Sequence, residues 1–359
     1  AGQKFESDTE INDLFTIIDQ IGKLPSEEAA ENKDREIWFS AALRDRIGHH
    51  YYGEQWAKNI HQFLLSKNWL DKNIHIISAN PHSVMNCLYT QTAIGKDYPN
   101  LGIVSLAEEI IKDRTGTLQS KIKSLATKNG MYELDDTSGT NITVQIFDLS
   151  QVPPSNKEIN LDSEAIKNTL LVVMDYAFGE QAYETMDELI KPVHANSGEI
   201  SLQVRSISIM GKAGILEGVK GDIMVPDAHI FEGTADNYPF KNELDAKDFV
   251  GTNNRAYSGP MITVLGTSLQ NKDILKYFLE SSWKAVGLEM EGAHYQKAIQ
   301  AASKIRKSIP EDVKLCYAYY ASDNPLQTGH TLASGSLGVD GVRPTYNITK
   351  VILNKILCS

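Results

Sequence analysis

Apolar residues recur at two spacings along the chain, and the prevailing spacing changes near residue 165. Ile11, Leu14, Phe15 and Ile18, and later Trp56, Ile60, Phe63 and Leu64, follow the rhythm that gathers side chains on one helical face, so helices are predicted up to about residue 70. Asn73-Ile-His-Ile-Ile-Ser78 is a short apolar run that gives way to polar turn residues, and it predicts a strand. Further apolar stretches follow at Val84 to Leu88 and Leu101 to Ile111, and residues 141–147 alternate as a half-buried strand does. Adjacent prolines in Pro153-Pro-Ser-Asn-Lys157 continue neither regular structure, which makes this segment the predicted linker.

Beyond it, apolar runs at 170–174, 206–210, 222–226, 261–265 and 314–321 are interleaved with helical patterns at 181–190, 272–282, 289–307 and 346–357. That rhythm predicts a layered α/β domain with a mixed or largely parallel sheet over 166–359. Residues 1–165 are expected to form an N-terminal α/β region of unassigned role, either a separate domain, a lid or an oligomerisation surface, or strands that extend the main sheet.

Composition narrows the classes. A chain of 359 residues holds two domains, or one large domain with an extension. With 42% apolar and 23% charged residues it is globular, not collagen-like, coiled-coil or disordered. Thirty-five Lys and Arg against 46 Asp and Glu leave a net charge of −11, which argues against a binder of nucleic-acid backbones. Cys87, Cys316 and Cys358 are odd in number and far apart, so neither a disulfide framework nor a paired-cysteine metal or redox site is indicated. No apolar run approaches the ~18 residues of a membrane span, and the start has no apolar signal core. A cytoplasmic protein without a membrane partner is the expectation. The Asn-x-Thr triplets at Asn141 and Asn347 are read as chance matches.

Ligands of α/β sheets bind beyond the carboxyl ends of the strands, so polar groups just past each strand are the candidates. Four clusters stand there: Asp175-Tyr-Ala-Phe-Gly-Glu180, Gly211-Lys-Ala-Gly214, Gly287-Leu-Glu-Met-Glu-Gly-Ala293 and Ala321-Ser-Asp-Asn-Pro325. Singly, each has an ordinary explanation. Glu289 and Glu291 suit the first turn of a helix, Asp323 suits a turn, Gly211 and Gly214 suit a tight bend, and Glu180 suits a helix start.

In order, Gly211-Lys-Ala-Gly214, Gly221-Asp-Ile-Met-Val-Pro226, Glu289-Met-Glu-Gly-Ala293 and Ser322-Asp323 resemble the purine nucleoside phosphorylase and nucleosidase superfamily, with its methylthioadenosine/adenosylhomocysteine and AMP nucleosidases. The resemblance spans about residues 168–359 and reaches nothing before 165. It implies a three-layer α/β/α phosphorylase-like fold around a mixed sheet, with cleavage of a nucleoside or nucleotide at its N-glycosidic bond. By the same resemblance, Glu291 accepts hydrogen bonds from the ribose hydroxyls, which suits a carboxylate with two acceptor oxygens. Met290 packs on the sugar with its polarizable thioether. Asp323 assists the departing purine as a general acid, and Ser322 either orients it or begins the turn. Gly211 to Gly214 match a loop near the anomeric carbon, and Glu289 either adds a sugar contact or caps the helix.

Two departures bear on the nucleophile. The turn after the first strand of this region carries no arginine, and Ile209 and Met210 stand where related phosphorylases show one, which favours water over phosphate. Glu180 then resembles the nucleosidase glutamate that activates water. Lys212 replaces a small neutral residue; it either holds a phosphate, on the substrate or as the attacking group, or faces solvent. Arg205, Arg255 and Arg343 are further candidate anion contacts, and the glycine-spaced Ser334–Gly341 stretch is expected to be a mobile loop. The superfamily resembled needs no metal or organic cofactor and is usually homo-oligomeric. Purine phosphorolysis and a non-catalytic nucleotide sensor remain as alternatives to hydrolysis.

Overall fold

The computed structural model describes residues 50–357 apart from 154–157, 162–163, 196–197, 233, 267–270 and 328–337, together with scattered positions between 15 and 30. The chain divides into two compact units, Ala1–Gly48 and His49–Ser359. In the first, the described positions are short helical pieces in which Phe15 and Ile18 are exposed; Ile11 and Leu14 lie outside the described residues.

The second unit begins with helix α1 (His50–Ser66), strand β1 (Asn73–Ser78), and helices α2 (Pro81–Ile94), α3 (Ile103–Lys112) and α4 (Thr117–Lys128). Strands β2 (Met131–Leu134), β3 (Val144–Asp148) and β4 (Thr169–Met174) lead to helix α5 (Gln181–Leu189). Next come β5 (Val193–Ala195), β6 (Gly198–Ile200), the long β7 (Gln203–Ile215), β8 (Ile223–Val225), β9 (Ala228–Phe231), β10 (Asn237–Pro239), β11 (Ala256–Ser258) and β12 (Met261–Thr263). Helix α6 (Lys272–Glu280), β13 (Gly287–Glu289), α7 (Gly292–Gln300), β14 (Lys314–Asp323) and α8 (Val342–Leu357) complete it.

Among the described residues one mixed sheet of twelve strands forms the middle layer. Its centre is parallel: β1 lies between β4 and β7, and β14 runs along the other edge of β7. Strands covered on both faces must be apolar throughout, as Thr-Leu-Leu-Val-Val-Met in β4 is. Alternate side chains then serve opposite cores. Leu170, Val172 and Met174 join Trp56, Ile60 and Leu64 of α1 and Ala182, Met186 and Leu189 of α5. Leu171 and Val173 join Val84 and Leu88 of α2 and Ile348, Ile352 and Leu353 of α8. Each fully buried Leu or Ile contributes roughly 1.5–3 kcal/mol, so both helix layers are held mainly by these stripes.

The boundary expected at residue 165 falls inside this sheet. β1, β2 and β3 all precede it, and β1 is a strand buried along nearly its whole length that needs cover on both faces, which its neighbours β4 and β7 and the two helix layers supply. Two further expectations change. Gly211 to Gly214 form no bend, because β7 continues to Ile215 with β14 paired along one edge and β13 meeting its end. Glu289 ends a strand rather than opening a helix; α7 starts at Gly292 and passes into a π-helical turn over Ala301–Arg306. Residues 154–157 of the predicted linker, and 334–337 of the glycine-spaced stretch, lie outside the described residues.

Candidate active site

A cavity of about 180 Å³ opens where β1, β4, β7, β13 and β14 end, the edge at which α/β sheets bind ligands. It brings together Gly211, Lys212, Glu289, Met290, Glu291 and Ser322 from three separate sequence clusters. Tyrosines make much of the remaining wall: Tyr176 follows β4, Tyr295 comes from α7, and Tyr319 and Tyr320 come from β14. A second cavity of about 390 Å³ shares Tyr320 as a common wall and is lined by Asn80, His82, Asn86 and Thr345 among others.

Glu291 joins two loops. Its Oε1 accepts the Gly179 amide at 3.1 Å, so the turn after β4 and the turn after β13 are fixed to one another. Gly179 has φ +54°, a left-handed conformation that glycine adopts without strain. Burial first, and the Glu289 charge second, push the Glu291 carboxyl up to about 7, against the pull of the Gly179 amide and of Lys212. Met290 packs against the small core formed by Leu216, Ile262 and Leu288.

Glu289 is buried and its oxygens are taken by the protein. Oε1 accepts the Thr263 hydroxyl, and Oε2 accepts the amides of Glu291, at 2.5 Å, and of Gly292. It therefore holds the start of α7 and has little left for a sugar. Burial would raise its carboxyl, but the His229 ring, the Thr263 hydroxyl and the Gly292 amide outweigh that and hold it below the usual range.

β14 is irregular between Ala321 and Asp323, and such bulges re-aim side chains. Ser322 lies in the cavity wall, with its hydroxyl 2.5 Å from Asp323 Oδ1 and 3.2 Å from the Ala213 carbonyl oxygen. Asp323 is buried and does not itself line the cavity. Glu180 is exposed at the start of α5 and is not part of the cavity wall, although it directly follows Gly179, whose amide is bonded to Glu291. Lys212 is exposed, yet it is the only cation among the described residues that line the cavity. Arg205 and Arg343 are engaged elsewhere, with Asn73 at 2.8 Å and Glu108 at 2.7 Å, and Arg255 does not reach the cavity.

In the first turn of α7, His294 packs edge-on against Phe231, whereas Tyr295 reaches the cavity with its hydroxyl 2.9 Å from Ser78 Oγ. Tyr176 stands in the candidate turn after β4, whereas Tyr319 alternates with Tyr317 along the apolar β14, a placement that a sequence does not distinguish from core packing. The Tyr319 hydroxyl is buried without a hydrogen-bond partner among the described residues, beside Glu289 and Glu291. As a whole the arrangement offers a small, tyrosine-walled hollow with one carboxyl that changes charge near neutrality, one cation, and a serine backed by a buried aspartate.

A family model matches residues 105–358, well over half of the chain. The chain belongs to DUF6909, a family of unknown function. No curated protein matches it. Among solved structures it is similar to a futalosine hydrolase mutant of Helicobacter pylori, with 12% identity, 79% of this chain and 98% of that one covered, and a TM-score of 0.45. It is also similar to a putative methylthioadenosine nucleosidase from Weissella paramesenteroides, at 11% identity, 80% and 99% coverage and a TM-score of 0.45. The 5′-methylthioadenosine/S-adenosyl homocysteine nucleosidase of Campylobacter jejuni gives 14% identity, 80% and 97% coverage and a TM-score of 0.43. Among the described residues no helix is long and apolar enough to cross a membrane.

Proposed function

We propose that this protein is an N-glycosidase that releases the base from a purine nucleoside or nucleotide, with water as the attacking group. The observation that carries the reading is the meeting of Glu291 and Ser322 in one cavity wall, with Asp323 bonded directly behind Ser322. They belong to two of the four motifs on which the superfamily resemblance rests.

Cleavage of such a bond leaves the sugar electron-poor and the base electron-rich. An ionised Glu291 accepts hydrogen bonds from the ribose 2′- and 3′-hydroxyls, and its charge is complementary to the cation developing on the ring. Met290, partly buried beside it, supplies a polarizable surface for the sugar. Asp323 is the acid behind the leaving base: the Ser322 hydroxyl, which otherwise donates to Asp323 Oδ1, gives its hydrogen to the base as its oxygen takes one from the protonated Asp323 carboxyl, and help of this kind is worth roughly two to four orders of magnitude in rate. The cavity of about 180 Å³ is below the ~300–1,000 Å³ of typical small-molecule sites, so it fits the sugar end, and the remainder of the substrate extends past Tyr320.

A second reading, phosphorolysis, is favoured by Lys212 in the wall, which suits an attacking phosphate. Incubation with adenosine, inosine, guanosine, methylthioadenosine and AMP, with and without phosphate, decides between them by chromatography of free base. Base released without phosphate supports hydrolysis, and a strict phosphate requirement replaces it with phosphorolysis. No base in either condition, with ligand binding retained, leaves the chain a nucleotide sensor.

A further inference from the structure

Beneath the cavity lies a histidine whose surroundings are difficult to explain as packing. His229, in β9, is wholly buried, stacked on Phe240 at 5.3 Å between ring centres and flanked by Tyr317 and Tyr319. Among the described residues neither ring nitrogen meets hydrogen-bond geometry, and Nδ1 stands 3.5 Å from Glu289 Oε1, at ion-pair distance. A buried polar ring without hydrogen bonds is costly, and a phenylalanine or leucine would fill the space without that cost. Gly292 lies directly against the ring: a Cβ there would be 2.2 Å from His229 Cε1. The histidine therefore touches both the Glu289 carboxylate and the loop that this carboxylate organises.

We propose that His229 is a positioning residue: it fixes the Glu289 carboxylate, which clamps the Glu291 and Gly292 amides and so sets where the Glu291 carboxyl stands in the cavity wall. The clamp bears on Glu291 directly, because the amide bonded to Glu289 Oε2 belongs to Glu291 itself. The consequence for catalysis rests on the N-glycosidase reading; the clamp does not. Facing Glu289 are His229 from β9, Tyr317 and Tyr319 from β14, and Glu291 and His294 at the start of α7, while Lys212 reaches Glu291 from β7. Of these, His229 leads the groups that keep Glu289 ionised in spite of burial.

Carboxyl-carbon NMR of the full chain with labelled glutamate, titrated without any substrate, tests the clamp. In His229→Leu the Glu289 midpoint is expected to rise, with a displaced Gly292 amide signal. In His229→Gln, whose side-chain amide can donate to the same carboxylate, most of the change is expected to reverse. Unchanged Glu289 and Gly292 signals in a folded His229→Leu protein would overturn the proposal and leave the ring a packing element. Should His229→Leu fail to fold, Glu289→Gln gives the reciprocal reading: the His229 ring NMR signals, read at one fixed pH, move if the two side chains are in contact, and unmoved ring signals refute the contact. A moved titration in a protein that cleaves no nucleoside would keep the clamp and discard the N-glycosidase reading.

Discussion

Glu291→Gln separates stability from chemistry at one atom pair. The carboxyl, ordinarily at 4.5, is pushed up to about 7 by burial and by Glu289, so the folded chain binds this proton more tightly than the unfolded chain does. The associated stability is fully present below 4.5 and is lost as the pH rises through about 7. At ~1.4 kcal/mol per unit, the gap corresponds to about 3 kcal/mol withdrawn from the folded state above neutrality. Glutamine keeps the shape, and its carbonyl oxygen can still accept the Gly179 amide, but it carries no charge to bury. Urea unfolding of both proteins at several pH values measures the difference. The variant is expected to match wild type at about pH 4.5 and to exceed it by up to about 3 kcal/mol at about pH 8.5. A variant that is no more stable at the higher pH, or a gap that does not change with pH, would refute the assignment of the neutral titration to Glu291. Under the proposed reaction the same variant loses base release, and wild-type kcat/KM falls as the pH drops through about 7 and the acceptor takes its proton.

The remaining expectations concern the frame around that carboxyl. Gly292→Ala would set a Cβ 2.2 Å from His229 Cε1, and the displacement should cost roughly 1–3 kcal/mol in thermal unfolding. Asp323→Asn is expected to slow base release by roughly 10²–10⁴-fold with modest change in nucleoside affinity, read from initial rates and calorimetric binding. Equal losses in both would make Asp323 a structural residue instead. Trp56→Phe removes the indole N–H that donates to the Ile142 carbonyl oxygen at 3.0 Å and should destabilise by roughly 1–3 kcal/mol by leaving a buried acceptor unpaired.

Elements whose apolar pattern had one interpretation were legible in the sequence. β1, β4 and β14 are apolar runs, and α1 and α8 carry clear stripes, so all five lie where the spacing puts them. Apart from α4, whose twelve residues bury only Ile122 and Ala126, the elements missed are short: β9, β10, β11 and β13 have three or four residues each, too few for a period to develop, and they exist because neighbouring strands supply their hydrogen bonds. Asn80-Pro81 illustrates a different failure. As a dipeptide it signals a turn, yet here Asn80 caps α2 through the His82 amide at 2.9 Å and Pro81 opens the helix, where its missing N–H costs nothing. The residue-165 boundary failed for a tertiary reason, since strand order in a sheet is independent of order in the chain.

The candidate site divides along the same line. Glu291, Met290 and Ser322 are found in one wall because each closely follows or stands at the end of a strand, a rule that needs only the sequence, whereas Lys212 reaches it from within β7. What spacing cannot convey is which of two neighbouring carboxylates faces inward to the protein and which to the ligand. Glu289 and Glu291 are two residues apart and chemically alike, but Thr263 and two backbone amides occupy both oxygens of the first, while the second accepts the Gly179 amide on Oε1 and borders the hollow. Their opposite titration behaviour follows from that asymmetry: one charge is paid for by internal donors, and its persistence is what makes the other expensive. Asp323 belongs to the same class of ambiguity. A bulge of one residue in β14 decides whether aspartate or serine occupies the wall, and it places Ser322 there, so any proton that reaches the leaving base from Asp323 must pass through the Ser322 hydroxyl or await movement of the strand.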